Sequence, residues 1–222
     1  LITEFVSNIL PYITLGVFLC GAIYKFLSWA RAPPHLRWAL FPIPSMKDQL
    51  KYMASEIFIF RNLANYNRSM WVGAWFFHLG ITLLAVWGVL VIIGAPYRTL
   101  MYFIGVTGGI FITSSAVYLL FIRAVLPQMR ALSTFVEYFN LALWVIVGGT
   151  GLYTGIFTNI TLPEVREYII SIFKLSPLPI EGNSLFLLHI LFVQLLLMYL
   201  PFSRMFHFVS KYFSYHKIRW AH

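Results

Sequence analysis

Five stretches of about twenty predominantly apolar residues, near 9–29, 71–94, 101–123, 138–159 and 184–206, dominate this chain. Each is long enough to cross a bilayer as an α-helix, and in hydrocarbon a helix is one of the two structures that satisfy their own peptide groups. Apolar residues make up 60% of the 222 and charged residues only 10%, against roughly 25% charged in an ordinary soluble domain. A soluble fold of this size could not hide so much apolar surface. The expected class is therefore all-α: a polytopic membrane protein, a five-transmembrane-helix bundle forming one domain over 1–222. Turn chemistry agrees with the division. Gly94-Ala95-Pro96 separates the second span from the third, and Leu126-Pro127 breaks the chain after the third. Leu175-Ser176-Pro177-Leu178-Pro179 sets a short amphipathic stretch, about 163–174, apart from the fifth.

Charge gives the orientation. Of the 16 Lys and Arg residues, only Arg98, Arg166 and Lys174 fall on one side of the predicted spans. The other thirteen lie in the loops 25–68, 123–130 and 204–219. Basic loops stay in the cytoplasm, so the N-terminus is expected outside and the C-terminus inside, as a multi-pass protein of a prokaryotic plasma membrane. The net charge of +9 needs no nucleic acid to explain it: basic loops meet anionic lipid head groups and soluble partners. The one cysteine, Cys20, excludes an intrachain disulfide and an iron–sulfur cluster held by this chain alone. The chain opens on Leu1 rather than methionine, and its first apolar run passes Ala30 without a leader's small-residue cleavage pattern. Residues are thus expected to precede it, and no removable leader is.

Three histidines fall in the apolar segments. Such residues are costly in a membrane and usually mark a function. His189 and His207 are 18 residues apart, five turns of one continuous helix, so their rings are expected on the same face. His78 is expected ~10 Å inside the second span from its inner end, and His207 at the inner end of the fifth. His189 lies near the outer end of the fifth, ~27 Å from His207 along a straight axis. Two imidazoles at one level can clamp a haem between helices, and depth pairs His78 with His207. The plainer alternatives are a packing histidine at 78 and an interfacial one at 207. His189 has no histidine partner at its level. His35, His216 and His222 lie in inner loops or the tail and are given no haem role. Arg204, Arg68 and Arg61 are candidate partners for haem propionates, with ordinary basic-loop decoration as the alternative. Gly73, Gly80 and Gly88 could admit a flat macrocycle to the second span, although glycines are common in membrane helices, and aromatics such as Trp71, Phe76, Phe77 and Phe206 suit a haem pocket and an interfacial belt equally well.

The run Leu200-Pro201-Phe202-Ser203-Arg204-Met205-Phe206-His207, with His189 18 residues before its end, resembles the last helix of the gamma subunit of respiratory nitrate reductase. Pro11-Tyr12-Ile13 and Phe77-His78-Leu79-Gly80 are similar to the same family, and the likeness extends over essentially the whole chain. The long inner loop, with Glu56-Ile57-Phe58-Ile59-Phe60-Arg61 leading to His78, looks closer to the membrane cytochromes b of heterodisulfide-reductase-like and sulfite-reduction-associated complexes. The resemblance implies a quinol-oxidising cytochrome b with two haems, one near each face, each held between the second helix and the fifth. It also implies electron transfer to an iron–sulfur protein on the cytoplasmic side. One departure matters: the family's second ligand on the second helix lies ten residues after the first, and here that position is Gly88, beside Trp87. One haem b, the inner one, is therefore expected, with the outer one absent or held otherwise. His189 is left as a possible second haem ligand or a quinone contact.

Menaquinone or ubiquinone would be the substrate. Arg98 and Tyr97, with His189 and Tyr102, are the candidate contacts at the outer side, against an interfacial arginine as the alternative. Without an outer haem, such a site would face a long gap to the inner one, which favours a site nearer the inner haem. A structural anchor without redox role is the competing reading. A transporter is disfavoured, because the one acidic residue close to a span is Glu137, at the inner end of the fourth. No catalytic triad, paired intramembrane carboxylates or phosphate loop is present, so terminal catalysis is assigned to a partner subunit.

Overall fold

Peptide groups in an apolar run must bond within the run, and all five predicted spans are helices. The chain is seen here in a computed structural model that describes residues 1–33, 45–180 and 182–214. Among these there is no strand. In chain order the helices are α1 (Ile2–Arg31), α2 (Met46–Phe58), α3 (Arg61–Tyr66), α4 (Arg68–Ile93) and α5 (Arg98–Val125). They continue with α6 (Pro127–Leu132), α7 (Phe135–Phe157), α8 (Leu162–Phe173), α9 (Ser184–Tyr199) and α10 (His207–Ser214). Helices α1, α4, α5 and α7, and the segment Ser184–Phe202 that contains α9, are long and apolar enough to cross a membrane. The amphipathic stretch expected at about 163–174 is α8.

The chain divides into two units: Leu1–Tyr12 with Phe60–Gln194, and Ile13–Ile59 with Leu195–His222. In the first, α4 packs on α5 and α5 on α7. Small residues let backbones approach where no water is available to drive association, and the glycines do this here. A Cβ at Gly73 would strike Leu119 and Tyr118, and one at Gly80 would strike Ile112 and the Gly108 carbonyl. Gly109 receives Leu152, and Gly148 receives Thr113. Gly73 and Gly80 therefore serve the α4–α5 seam and do not admit a macrocycle, contrary to the sequence expectation. Gly88 alone of the three is open: a Cβ there would meet nothing within 4 Å.

Local chemistry sets several of the helix ends. Gly94 takes φ 71° and ψ 39°, which only a residue without a Cβ adopts cheaply. The amides of Gly94 and Ala95 then bond the Val91 and Leu90 carbonyls, closing α4. Arg166 adds a bond from Nε to the Ile92 carbonyl at 3.3 Å, a cation at a helix C-terminus. Glu137 is used in a capping box with Thr134 at the start of α7. Thr161 and Glu164 form the same box for α8.

The first turns of α1 include a π-helical stretch, Phe5–Ile9. Two of its carbonyls accept from side chains: Val6 from Gln194 Nε2 at 3.1 Å, and Ser7 from the Tyr168 hydroxyl at 3.2 Å. Tyr12 donates to the Ile172 carbonyl at 3.1 Å. Tyr168, Ile180 and Phe186 form a buried cluster behind these bonds. Burial, and then the nearby Tyr12 phenol, push the Tyr168 hydroxyl up to about 12 from its ordinary 10.

In the second unit, Gly21 receives Pro201 and Phe202. Trp29 stacks on Phe206 at 6.0 Å, and Phe26 meets Phe213 edge-on at 5.3 Å. Glu56 on α2 is buried at 5% exposure, and its carbonyl accepts from Lys211 Nζ at 3.2 Å. Burial lowers the Lys211 ammonium, and the Glu56 carboxylate opposes that shift.

The fifth apolar segment differs from expectation. It does not run as one helix to residue 206. α9 stops at Tyr199, a tight turn covers Leu200–Phe202, and Ser203 is extended at φ −101° and ψ 167°. Pro201 has no amide hydrogen to continue the ladder. Ser203 instead accepts from the Met205 amide at 3.1 Å, starting a second turn, Arg204–Phe206, before α10. His189 and His207 are therefore on different helices, and the five-turn argument for a shared face fails.

Candidate functional site

His78 lies in α4, ten residues after Arg68 and so about 15 Å along the axis from the start of the helix, which begins three residues before the expected span. Its Nδ1 is 2.7 Å from the Ala74 carbonyl, one turn back. A carbonyl only accepts, so Nδ1 carries the proton and Nε2 is the basic nitrogen. That tautomer is the one that ligates a metal through Nε2, with the second ring nitrogen tied to a carbonyl that fixes the ring. Two aromatic rings flank the imidazole. Phe60 meets it at a centroid distance of 4.8 Å and 63°, and Phe77 at 5.7 Å and 80°. Phe77 is itself held edge-on by Trp144 at 5.2 Å.

Phe60 was not singled out by sequence reasoning. It caps the start of α3 at φ 52° and ψ 48°, a left-handed conformation that costs a residue with a Cβ about 1–2 kcal/mol. Leu175 is the other non-glycine residue with positive φ among those described. Its conformation is accounted for by a helix end: the Leu175 and Ser176 amides bond the Ile172 and Ser171 carbonyls.

His207 opens α10 and is exposed, with Nδ1 3.3 Å from the Arg204 carbonyl, a longer version of the same arrangement. The preceding residue, Phe206, is buried and stacks on Trp29. The imidazoles of His78 and His207 thus both have the donor chemistry that a haem iron takes. Among the described residues no group of three or more His, Cys, Asp and Glu could hold a metal ion.

His189, on α9, is partly buried against α7. Thr150 Oγ1 donates its one proton to the Ile146 carbonyl at 2.7 Å, and therefore accepts from His189 Nδ1 at 3.1 Å. The ring lies flat enough on α7 that a Cβ at Gly151 would stand 2.8 Å from His189 Cε1. Neither Thr150 nor Gly151 was expected; the run Gly148-Gly149-Thr150-Gly151 inside a span was the available signal. The expected propionate partners Arg61, Arg68 and Arg204 are all exposed, the first two opening α3 and α4. Tyr97 and Arg98 are exposed at the start of α5. His35, His216 and His222 lie outside the described residues.

Two curated relatives align along nearly the whole chain. A protein of Archaeoglobus profundus named "Hdr-like menaquinol oxidoreductase cytochrome b-like subunit" is 24% identical, over 92% of this chain and 76% of its own length. A protein of the same name from Archaeoglobus fulgidus is 24% identical, over 93% and 76%. The family model for the nitrate reductase gamma subunit matches residues 61–221, a span that contains His78, His189 and His207. The chain belongs to the nitrate reductase gamma subunit family.

Proposed function

We propose that this chain is the haem b subunit of a respiratory oxidoreductase, moving electrons between the quinone pool and an iron–sulfur partner on the cytoplasmic side. Its membership of the nitrate reductase gamma subunit family supports this reading, as do the relatives named as cytochrome b-like subunits of a menaquinol oxidoreductase. The observation that carries it is the His78 imidazole, set inside a span and turned by Ala74 into the ligating tautomer.

In this reading the chain is one domain, 1–222, in a prokaryotic plasma membrane, with its N-terminus outside and its basic loops inside. His78 and His207 would be the residues that hold one haem, near the inner face. Haem b supplies a one-electron carrier between a two-electron quinol and a one-electron iron–sulfur partner. The surrounding residues set its conditions. Ala74 holds the His78 proton on Nδ1, Phe60 and Phe77 keep water from the ring, and Arg204, Arg68 and Arg61 offset propionate charge. At the opposite end of α5, Tyr97 and Arg98 offer a phenol and a guanidinium to the quinone oxygens. His189 is either a quinone contact or one half of a second haem site whose other half is missing at Gly88.

The test is anaerobic addition of a menaquinol analogue to the purified protein. Reduction of a b-type absorption band, absent in His78→Ala, supports the reading. An assembled protein with no reducible band would make it a structural anchor.

A further inference from the structure

We infer that Phe60 is a positioning residue for His78: its ring, held by a left-handed backbone, fixes the plane of the imidazole and the polarity around it. The inference deepens the haem reading above and rests on it.

Three observations meet at this residue. Phe60 is one of two non-glycine residues with positive φ among those described; like Leu175 after α8, it directly follows the C-cap of a helix, here Ile59 at the end of α2. Glycine is the usual residue at such a helix end, and a phenylalanine takes the left-handed conformation there at a steric cost. The Phe60 ring lies 4.8 Å from the His78 ring, centroid to centroid, at 63°. This is nearer than Phe77, the neighbour in sequence, at 5.7 Å. The backbone strain thus ends in a contact with the one imidazole that the span places in a ligating tautomer.

The geometry gives Phe60 a task that Ala74 cannot perform. The Nδ1–H bond to Ala74 sets the tautomer and the direction of Nε2, but does not by itself fix the plane of the ring. An edge-on aromatic neighbour restrains that plane, because ring edges and faces carry opposite partial charge. The apolar ring also excludes water from one side of the ligand. The hydrophobic shell around a metal ligand controls solvent access and hence potential. Loss of the ring should admit water, favour the oxidised, more charged state and lower the midpoint potential.

The experiment is a potentiometric titration with low-temperature EPR on the full-length protein, for wild type, Phe60→Leu, Phe60→Ala, Phe60→Gly and Phe60→Tyr. Phe60→Gly relieves the backbone, so it separates loss of the ring from loss of fold, and Phe60→Leu keeps the bulk. The expected result is a lowered midpoint potential and altered low-spin g values in the Leu, Ala and Gly variants, with about tenfold weaker haem retention. Phe60→Tyr should restore both signals. Wild-type potential and g values in Phe60→Leu and Phe60→Gly would overturn the inference. If His78→Ala at the same time loses its haem, the haem reading survives that failure. Absence of haem from the wild type, or its survival in His78→Ala, would instead bring down the reading and this inference together.

Discussion

Gly80→Ala should loosen α4 from α5. A Cβ at this position would stand 2.8 Å from the Ile112 amide nitrogen, 2.8 Å from Ile112 Cγ1 and 2.9 Å from the Gly108 carbonyl oxygen. Two of these three atoms are backbone and cannot swing aside as a side-chain tip can. Ordinary contact begins near 3.4 Å, so the helices must part by about 0.6 Å along a close-packed seam. Overpacking of this kind costs ~1–3 kcal/mol. Two rigid backbone atoms put this site in the upper part of that range, about 2–3 kcal/mol; the better helix propensity of alanine returns about 1 kcal/mol, leaving a net loss of about 1–2 kcal/mol. Gly88→Ala is the matched control on the same helix: it meets nothing, gains the propensity and should unfold no earlier than wild type. The assay is thermal unfolding in detergent, followed by tryptophan fluorescence, with haem content measured on each sample. A Gly80→Ala protein as stable as wild type would refute the packing argument. So would a Gly88→Ala protein that loses as much as Gly80→Ala.

Gly88→His should raise the haem count from one to two, because the position is open and His189, held on α7 by Thr150, would supply the second imidazole; an unchanged count in a folded variant would refute this account of the missing ligand. Thr150→Val should then remove the second haem of the Gly88→His protein while sparing the first, since it takes away the acceptor that sets the His189 tautomer. Alkaline pH should release the bond from Tyr168 to α1. The hydroxyl is pushed up to about 12 when folded and titrates near 10 when unfolded. Between those values the folded state holds the extra proton, so stability is full below pH 10 and falls as pH rises toward 12. Two units correspond to ~2.7 kcal/mol, reduced to about 2 kcal/mol by residual screening. Unfolding of wild type and Tyr168→Phe compared from pH 9 to 12 should show a difference that shrinks over that window, and a constant difference would contradict the shift.

Much of this architecture was legible in the amino-acid order, for definite physical reasons. A span must satisfy its own backbone, so twenty apolar residues read as a helix without knowledge of their neighbours. Gly94-Ala95-Pro96 is a local device, and it falls where expected, closing α4. The end of the fifth span was misread, although Pro201 was in view. Apolar residues continue past it, and hydropathy does not register that Ser203 turns extended. Gly73 and Gly80 were misassigned because sequence periodicity does not say which neighbour fills a groove; α5 fills this one. At the candidate site, the histidines stood out by type. Their partners did not: Ala74 contributes only a carbonyl, Thr150 lies 39 residues from His189, and Phe60 is distinguished by a backbone angle.

Haem per polypeptide, measured by pyridine haemochrome on wild type, His78→Ala, His207→Ala and His189→Ala, tests the central proposal most directly. One b-type haem, lost in the His78 and His207 variants and kept in the His189 variant, is the predicted result. Two haems in the wild type, or one that survives removal of either His78 or His207, would contradict it.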